Sequence, residues 1–244
     1  MGNSSKQEIR EKVWENMMEK KVARFPFPIK GRIPNFKGAE KAAQLVFGME
    51  EYIQAKVVKV NPDSPMLPIR AQVLKDGKTL LVPTPRLKDG FIKVDPATIP
   101  PGEEKKAASL KHINQYGKVI PLKKLPIIDL LFVGSVALHQ DGRRLGKGEG
   151  YADREYAIIR ELGNPPIPII GTIHSVQLVE DDLPKDDYDL TVDWIATEKE
   201  LFKTNSPYEK PSGIIWSEVT EGEMEEMPVL KEIWEITRGK NNGG

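Results

Sequence analysis

The stretch GRRLGKGEGYADREYAIIRELG, Gly142 to Gly163, decides how the middle of the chain folds. An apolar run, Ile127 to Leu138, leads into it and has strand character. Gly146, Gly148 and Gly150 then alternate with Lys147 and Glu149. A helical pattern follows at once, with Tyr156, Ile159 and Leu162 on one face and Gly163 as its stop. Strand, glycine loop and helix together suit a phosphate group. Glycines let backbone N–H groups approach an anion, and a helix N-terminus adds a favourable dipole. Arg143, Arg144 and Lys147 bring positive charge to the same place. The loop has neither the Gly-Lys-Ser/Thr of a Walker loop nor the spacing GxGxxG. The residues alone leave two readings open: an anion cradle, or a loop with a solvated basic rim.

Working outward, a first helix is expected from Ser5, which has capping-box spacing to Glu8. Ile9, Val13, Trp14, Met17 and Met18 form its apolar face, and Lys6 and Arg10, four apart, point the same way beside it. Ala39 to Tyr52 reads as one helix and Ala55 to Val60 as a strand. Asn61-Pro62-Asp63-Ser64-Pro65 is a turn cluster at that strand's end, the edge of an open α/β sheet where ligands sit. Ile69 to Lys75 is a short helix, Thr79 to Val82 a strand that ends at Pro83-Thr84-Pro85-Arg86-Leu87, and Phe91 to Val94 another strand. Lys105 to Tyr116 reads as one helix with Gly117 as its left-handed stop. Leu125 to Leu138 is a core strand, and Ile167 to Ile173 is β-branched and apolar, as central parallel strands are. Asp181 to Asp189 is an acidic loop and Val192 to Ala196 the last clear strand. Glu223 to Arg238 is a C-terminal docking helix, and Gly239 to Gly244 is expected to be a disordered tail.

Composition sets limits. Lys+Arg and Asp+Glu balance at 36 each in 244 residues. Nucleic-acid binding needs a basic footprint that such a total does not supply. The absence of Cys rules out disulfides, thiolate catalysis and Cys-ligated zinc. No apolar run reaches the ~18 residues of a membrane span and the N-terminus lacks a signal-peptide core, so the expected location is the cytoplasm. His112, His139 and His174 lack ligand spacing and read as structural residues. There is no GxSxG elbow of a serine hydrolase.

Arg144-Leu145-Gly146-Lys147-Gly148-Glu149-Gly150-Tyr151-Ala152-Asp153 resembles the RLGxGxGYYD signature of the 5-formyltetrahydrofolate cyclo-ligase family, in its extended branch. Ala152 stands where the family usually has a second Tyr. Lys6-Gln7-Glu8-Ile9-Arg10 resembles the family's KxxLR element, and Tyr188-Asp189-Leu190-Thr191-Val192-Asp193 its (H/N)-D-x-x-(V/L)-D element. The likeness covers most of Lys6 to Thr197. It implies an α/β, Rossmann-like three-layer sandwich with a mostly parallel central sheet, related to ribose-phosphate isomerases and CoA transferases. Residues 1–202 would form that domain and 203–244 an extension.

The resemblance further implies ATP- and magnesium-dependent cyclisation of 5-formyltetrahydrofolate, with a reduced folate as the partner and a monomer or homodimer as the working form. Lys6, Arg10 and Arg144 to Tyr151 would hold ATP, with Lys147 and Arg144 catalytic. Asp63, at the position of a substrate-binding Glu, would face the folate with Arg86, Tyr151 and Ala152. Asp153 and Asp189 would contact magnesium. Read without the family, Asp63 is an Asx turn, Asp153 a helix cap, Asp189 a loop acid, and Lys6 and Arg10 a solvated edge. Two other functions stay open: an isomerase or transferase on the same fold, and a nucleotide- or folate-binding regulator without turnover.

Overall fold

The structure is a computed structural model that describes residues 5–180 and 182–238. Helix α1 (Lys6–Glu19) begins at the expected capping box: the Ser5 hydroxyl accepts from the Glu8 amide, and the Glu8 carboxylate accepts from the Ser5 amide. Ile9, Val13, Trp14 and Met17 are buried, whereas Met18 is 50% exposed. One residue past Met17, the helix has turned its side chain about 100° away from the core. A short hairpin, β1 (Ala23–Arg24) with β2 (Asn35–Phe36), follows. The single helix expected over 39–52 is two, α2 (Ala39–Phe47) and α3 (Glu50–Gln54), because Met49 is extended between them.

β3 (Val57–Val60), α4 (Leu67–Lys75), β4 (Thr79–Pro83) and β5 (Phe91–Val94) stand where the pattern puts them. The helix expected over 105–116 is again two pieces, α5 (Glu104–Ala108) and α6 (Ile113–Tyr116). Gly117 is not a left-handed stop: its φ is −108°, and it opens an unforeseen strand, β6 (Gly117–Ile120). A Cβ there would meet the Ile92 and Val94 side chains at 2.6 and 2.9 Å, so close packing explains the glycine.

The apolar run before the glycine loop is the main correction. It forms β7 (Leu130–Val133) and β8 (Ala137–His139), which belong to different sheets. β9 (Arg144–Leu145) pairs back on β8, so a hairpin separates the core strand from the loop. Gly150, with φ +72°, then starts α7 (Tyr151–Glu161), and Gly163 with φ +97° lies just past its end. β10 (Ile169–Thr172), β11 (Leu178–Val179), β12 (Trp194–Ala196) and β13 (Leu201–Lys203) complete the strands. The C-terminal helix is broken into α8 (Glu221–Glu226) and α9 (Val229–Arg238). Pro228 sits at the break, where it disfavours helical backbone in Met227 before it. The expected tail, 239–244, and Asp181 of the acidic loop lie outside the described residues.

The eight-stranded sheet runs β13-β12-β10-β7-β3-β4-β5-β6. β12, β10, β7, β3 and β4 are parallel at its centre; β13 and β5 run antiparallel to them, and β6, antiparallel to β5, runs with the central strands again. Strand alternation sorts the core into two layers. Leu80, Val82, Leu130, Phe132 and Ile170 pack with α1, α2 and α4 on one face. Leu81, Leu131, Val133 and Ile169 pack with α7 and α9 on the other. The result is the three-layer α/β sandwich. Leu230 and Ile233 of α9 are fully buried in the second layer.

Alternation also places Lys59 in that second layer, 1% exposed. A buried ammonium must be paired, and Glu155 of α7 pairs with it while Asn61 accepts a second bond at 2.8 Å.

Candidate functional site

Three features meet at the carboxyl ends of the parallel strands: the turn after β3, the turn after β4 and the glycine loop. The β8–β9 hairpin carries Arg144 back under β7. There its Nε and Nη2 donate to the Gly134 carbonyl at 3.1 and 2.8 Å. A Cβ on Gly134 would lie 2.7 Å from Ile33 and 3.0 Å from the Asp63 carboxylate, so only glycine lets these segments meet. Gly148 has φ +107°, a conformation L side chains rarely adopt, and it faces the Arg10 guanidinium. Arg10 reaches the loop from α1 and donates through Nε to the Gly146 carbonyl at 2.7 Å.

Two cavities flank this loop. The first, about 380 Å³, is densely charged, with the cations Lys6, Arg10, Arg144 and Arg154 set among six carboxylates. Lys6, Arg10 and Arg144 line it with Leu145, Gly146, Gly148, Glu149 and Gly150. Asp153 and Asp189 also face this side. The second, about 440 Å³, is more apolar, with Ile33, Val82, Leu87, Ile92 and Leu110 in its lining. Asp63, Arg86, Lys147, Tyr151 and Ala152 belong to it. Arg144, Gly146, Glu149, Gly150 and Asp153 border both. The structure thus brings every site residue chosen from the sequence to one or other side of one loop. Lys147 lies on the apolar side, ion-paired with Glu149 at 2.8 Å.

The charges are individually placed. Burial works against the Lys6 ammonium, but bonds to Asp186 and Asp189 outweigh it and hold its pKa above the ordinary lysine value. Burial lowers the Arg10 pKa. Asp63 makes no helix-cap bond. Burial pushes its carboxyl above the ordinary range, against the pull of Arg144, Lys147, Arg70 and Lys59. Asp153 does not cap α7, which Gly150 starts. Its Oδ1 accepts the Leu190 amide at 2.8 Å, tying the loop before β12 to the site. Burial raises its pKa; Arg144 opposes this and Asp189 adds to it.

Asp153 and Asp189 therefore sit close enough to feel each other on the charged side. Magnesium takes one or two carboxylates plus nucleotide phosphates. Among the described residues no group of three or more His, Cys, Asp or Glu could hold a metal ion by itself. Asp189 Oδ2 already accepts from Lys6 and the Asp186 amide, and Asp153 Oδ1 from the Leu190 amide, so an ion here would rest on the other carboxylate oxygens and on a ligand. His174 lies outside both cavities: its Nδ1 accepts the Val176 amide at 3.1 Å and its ring edges against Phe36.

Several lining groups escaped the sequence reading. Asn61 and Glu155 reach the apolar cavity from the buried Lys59 pair, and Asn114 reaches it from α6. Arg70, buried beneath, donates to the Asn61 and Asp63 carbonyls and so fixes the turn after β3. A lysine inside an otherwise apolar strand was the available signal for the Lys59 pair. Arg86 and Leu87, with φ of 52° and 55°, are both left-handed at the turn after β4. Such strain in non-glycine residues clusters at functional edges. The wall supplied by Pro211 to Met227 had no sequence signal at all.

Comparison with known proteins gives a family and a fold. A family model described as the 5-formyltetrahydrofolate cyclo-ligase family matches residues 2–198. The chain is similar to the methenyltetrahydrofolate synthase domain-containing proteins of Bos taurus, 41% identical over 239 residues, and of Homo sapiens, 40% identical over 239 residues. Each match covers 94% of this chain but 62% and 61% of the relative, so the chain spans about three fifths of the curated relatives it matches. Among solved structures it resembles the Aquifex aeolicus 5,10-methenyltetrahydrofolate synthetase, with a TM-score of 0.53 and 22% identity over 84% of this chain and 95% of that one. The Mycoplasma pneumoniae 5,10-methenyltetrahydrofolate synthetase gives a TM-score of 0.50 at 17% identity, over 80% of this chain and 99% of that one. These two likenesses concern the fold.

Proposed function

The chain belongs to the 5-formyltetrahydrofolate cyclo-ligase family, and from that premise we propose that it closes 5-formyltetrahydrofolate, or a related reduced pterin, to the 5,10-methenyl form with ATP, releasing ADP and phosphate. The observation that carries this reading is the pair of cavities sharing one glycine loop, one charged and holding Lys6, Arg10 and Arg144, the other apolar. A polyphosphate suits the first and a flat heterocycle the second. Their common border is where a terminal phosphoryl group and a formyl oxygen would meet.

In the proposed reaction the formyl oxygen attacks the γ-phosphorus as the bond to the ADP oxygen breaks. The neighbouring folate nitrogen then adds to the formyl carbon and loses its proton. The carbon–oxygen bond breaks and phosphate leaves with the electron pair. Chemistry of this kind asks the protein for positioning and charge neutralisation. Lys6 and Arg10 from α1 and Arg144 from β9 supply positive charge, and the loop fixes the distance between the two ligands. Lys147 approaches from the folate side. Asp63 and Asn61 offer acceptors for pterin N–H groups, and Tyr151 packs the ring. Asp153 and Asp189 would hold magnesium, which when bound offsets phosphate charge.

The test is methenyl absorbance after mixing the chain with 5-formyltetrahydrofolate. The chromophore should grow only when ATP and magnesium are both present. Binding of both ligands without any chromophore would overturn the reading and favour a regulator that lacks turnover.

A further inference from the structure

The family match ends at residue 198, yet one wall of the charged cavity lies beyond it. Pro211, Gly213, Ile215, Glu218, Glu223 and Met227 contribute that wall. The segment is firmly anchored to α7. The Glu161 carboxylate accepts the Ile214 amide at 2.9 Å and the Trp216 indole N–H at 3.4 Å. Arg154 donates to Glu223 at 2.6 Å. A Cβ on Gly213 would stand 2.5 Å from the Glu161 carboxylate, so any other residue there would displace that carboxylate from its bonds to Ile214 and Trp216.

The cavity follows α7 from Gly150 past Asp153 and Arg154 to Ala157. That is about 10 Å of helix at 1.5 Å per residue. Its two ends differ. Lys6, Arg10 and Arg144 gather with the glycine loop at the helix N-terminus, among Glu149, Asp153, Asp186 and Asp189. The anchors of the C-terminal segment lie further along, down to Glu161. That segment adds no cation to the lining; it adds apolar Ile215 and Met227, Glu218, and Glu223 paired with Arg154. A carboxylate accepts bonds from hydroxyls. An apolar surface suits the face of a flat base.

Resting on the reading of this cavity as a nucleotide site, we infer that residues 211–227 form its base-and-ribose subsite. Ile215 and Met227, with Ala157, take the face of the base. Glu218 accepts from the ribose hydroxyls. A polyphosphate thus has one productive direction, terminal phosphate toward the glycine loop and base toward the C-terminal segment. The segment beyond the matched region is in this account a working part of the site.

Titration calorimetry with ATP and with inorganic triphosphate separates the two ends. Wild type should bind ATP more tightly than triphosphate. Ile215→Asn should weaken ATP by at least about fivefold, somewhat over half of the 1.4 kcal/mol that makes a decade, and leave triphosphate unchanged. Retained triphosphate binding also shows that the variant is folded. Glu218→Gln should act the same way, more weakly. Equal wild-type affinity for ATP and triphosphate would overturn the subsite, as would Ile215→Asn with unaltered ATP affinity or with equal losses for both ligands. A wild type that binds neither ligand would instead sink the nucleotide reading beneath it.

Discussion

The two cavities beside the glycine loop differ in how the chain builds them. The apolar one is made from turns that follow neighbouring parallel strands, Asn61 to Asp63 after β3 and Thr84 to Leu87 after β4. This is the ordinary ligand edge of an open α/β sheet. The charged one is assembled from distant parts: Lys6 and Arg10 from α1, Asp189 from a loop, and Ile215 and Met227 from the C-terminal segment. Only the loop and the start of α7 serve both. A fold inherits its first cavity from topology; its second needs particular side chains to arrive from the chain's two ends. Damage to the loop should therefore affect both ligands, whereas damage elsewhere should affect one.

The largest effect is expected for Gly148→Val. A β-branched residue is strained at φ +107°, and its Cβ would press toward Arg10 at 3.5 Å. ATP affinity should fall by at least about a hundredfold, two decades of 1.4 kcal/mol each. 5-Formyltetrahydrofolate binding should fall with it, and calorimetry with each ligand checks both. Loss confined to ATP would mean the loop serves a single cavity.

Arg10→Gln should separate the cavities. It removes a charged donor worth about 1.5–3 kcal/mol, hence about 10–100-fold in the ATP dissociation constant. Folate affinity should not move. Lys147→Ala should do the reverse, lowering turnover more than ATP affinity, because Lys147 lines the apolar side. A stopped-flow comparison of binding and turnover distinguishes the two variants.

Ala152→Tyr should sharpen the apolar side. A ring that stacks contributes about 0.5–1.5 kcal/mol beyond its area, so activity on ordinary 5-formyltetrahydrofolate should rise a few-fold with ATP affinity fixed. Equal activity in both proteins would show that position 152 does not set selectivity.

The smallest effect concerns stability. Burial raises the Asp63 pKa above its unfolded value, so the unfolded chain gives up its proton first and stability falls as pH rises through that window. Near neutral pH the Asp63 charge is therefore a cost. Asp63→Asn should raise Tm by about 2–4 °C for each kcal/mol relieved, while weakening folate binding. The gain should vanish once the pH falls below the ordinary aspartate range. Thermal scans over pH measure it.

Much of this was legible in the residues. The capping box at Ser5, the turns after β3 and β4 and the glycine loop before α7 each rest on local chemistry, and each stands where pattern placed it. What failed was whatever local pattern cannot encode. Alternation shows that Leu130 to Val133 and Ala137 to His139 are both strands, but not that they join different sheets. Gly117 gave a glycine signal whose cause was packing on Ile92 and Val94 rather than a helix end. The helix over 223–238 was read through Pro228, although its ring disfavours helix in Met227. The C-terminal wall was invisible because its function depends on where α7 lies, and no spacing in 211–227 records that.

The central claim is that two ligands occupy two cavities across one loop at the same time. Titrating 5-formyltetrahydrofolate into the chain saturated with a non-hydrolysable ATP analogue tests it directly. One folate site per chain is expected, with affinity no weaker than in the absence of the analogue, and the same result with the order reversed. Mutual exclusion of the two ligands, each raising the other's apparent dissociation constant in proportion to its concentration, would contradict it.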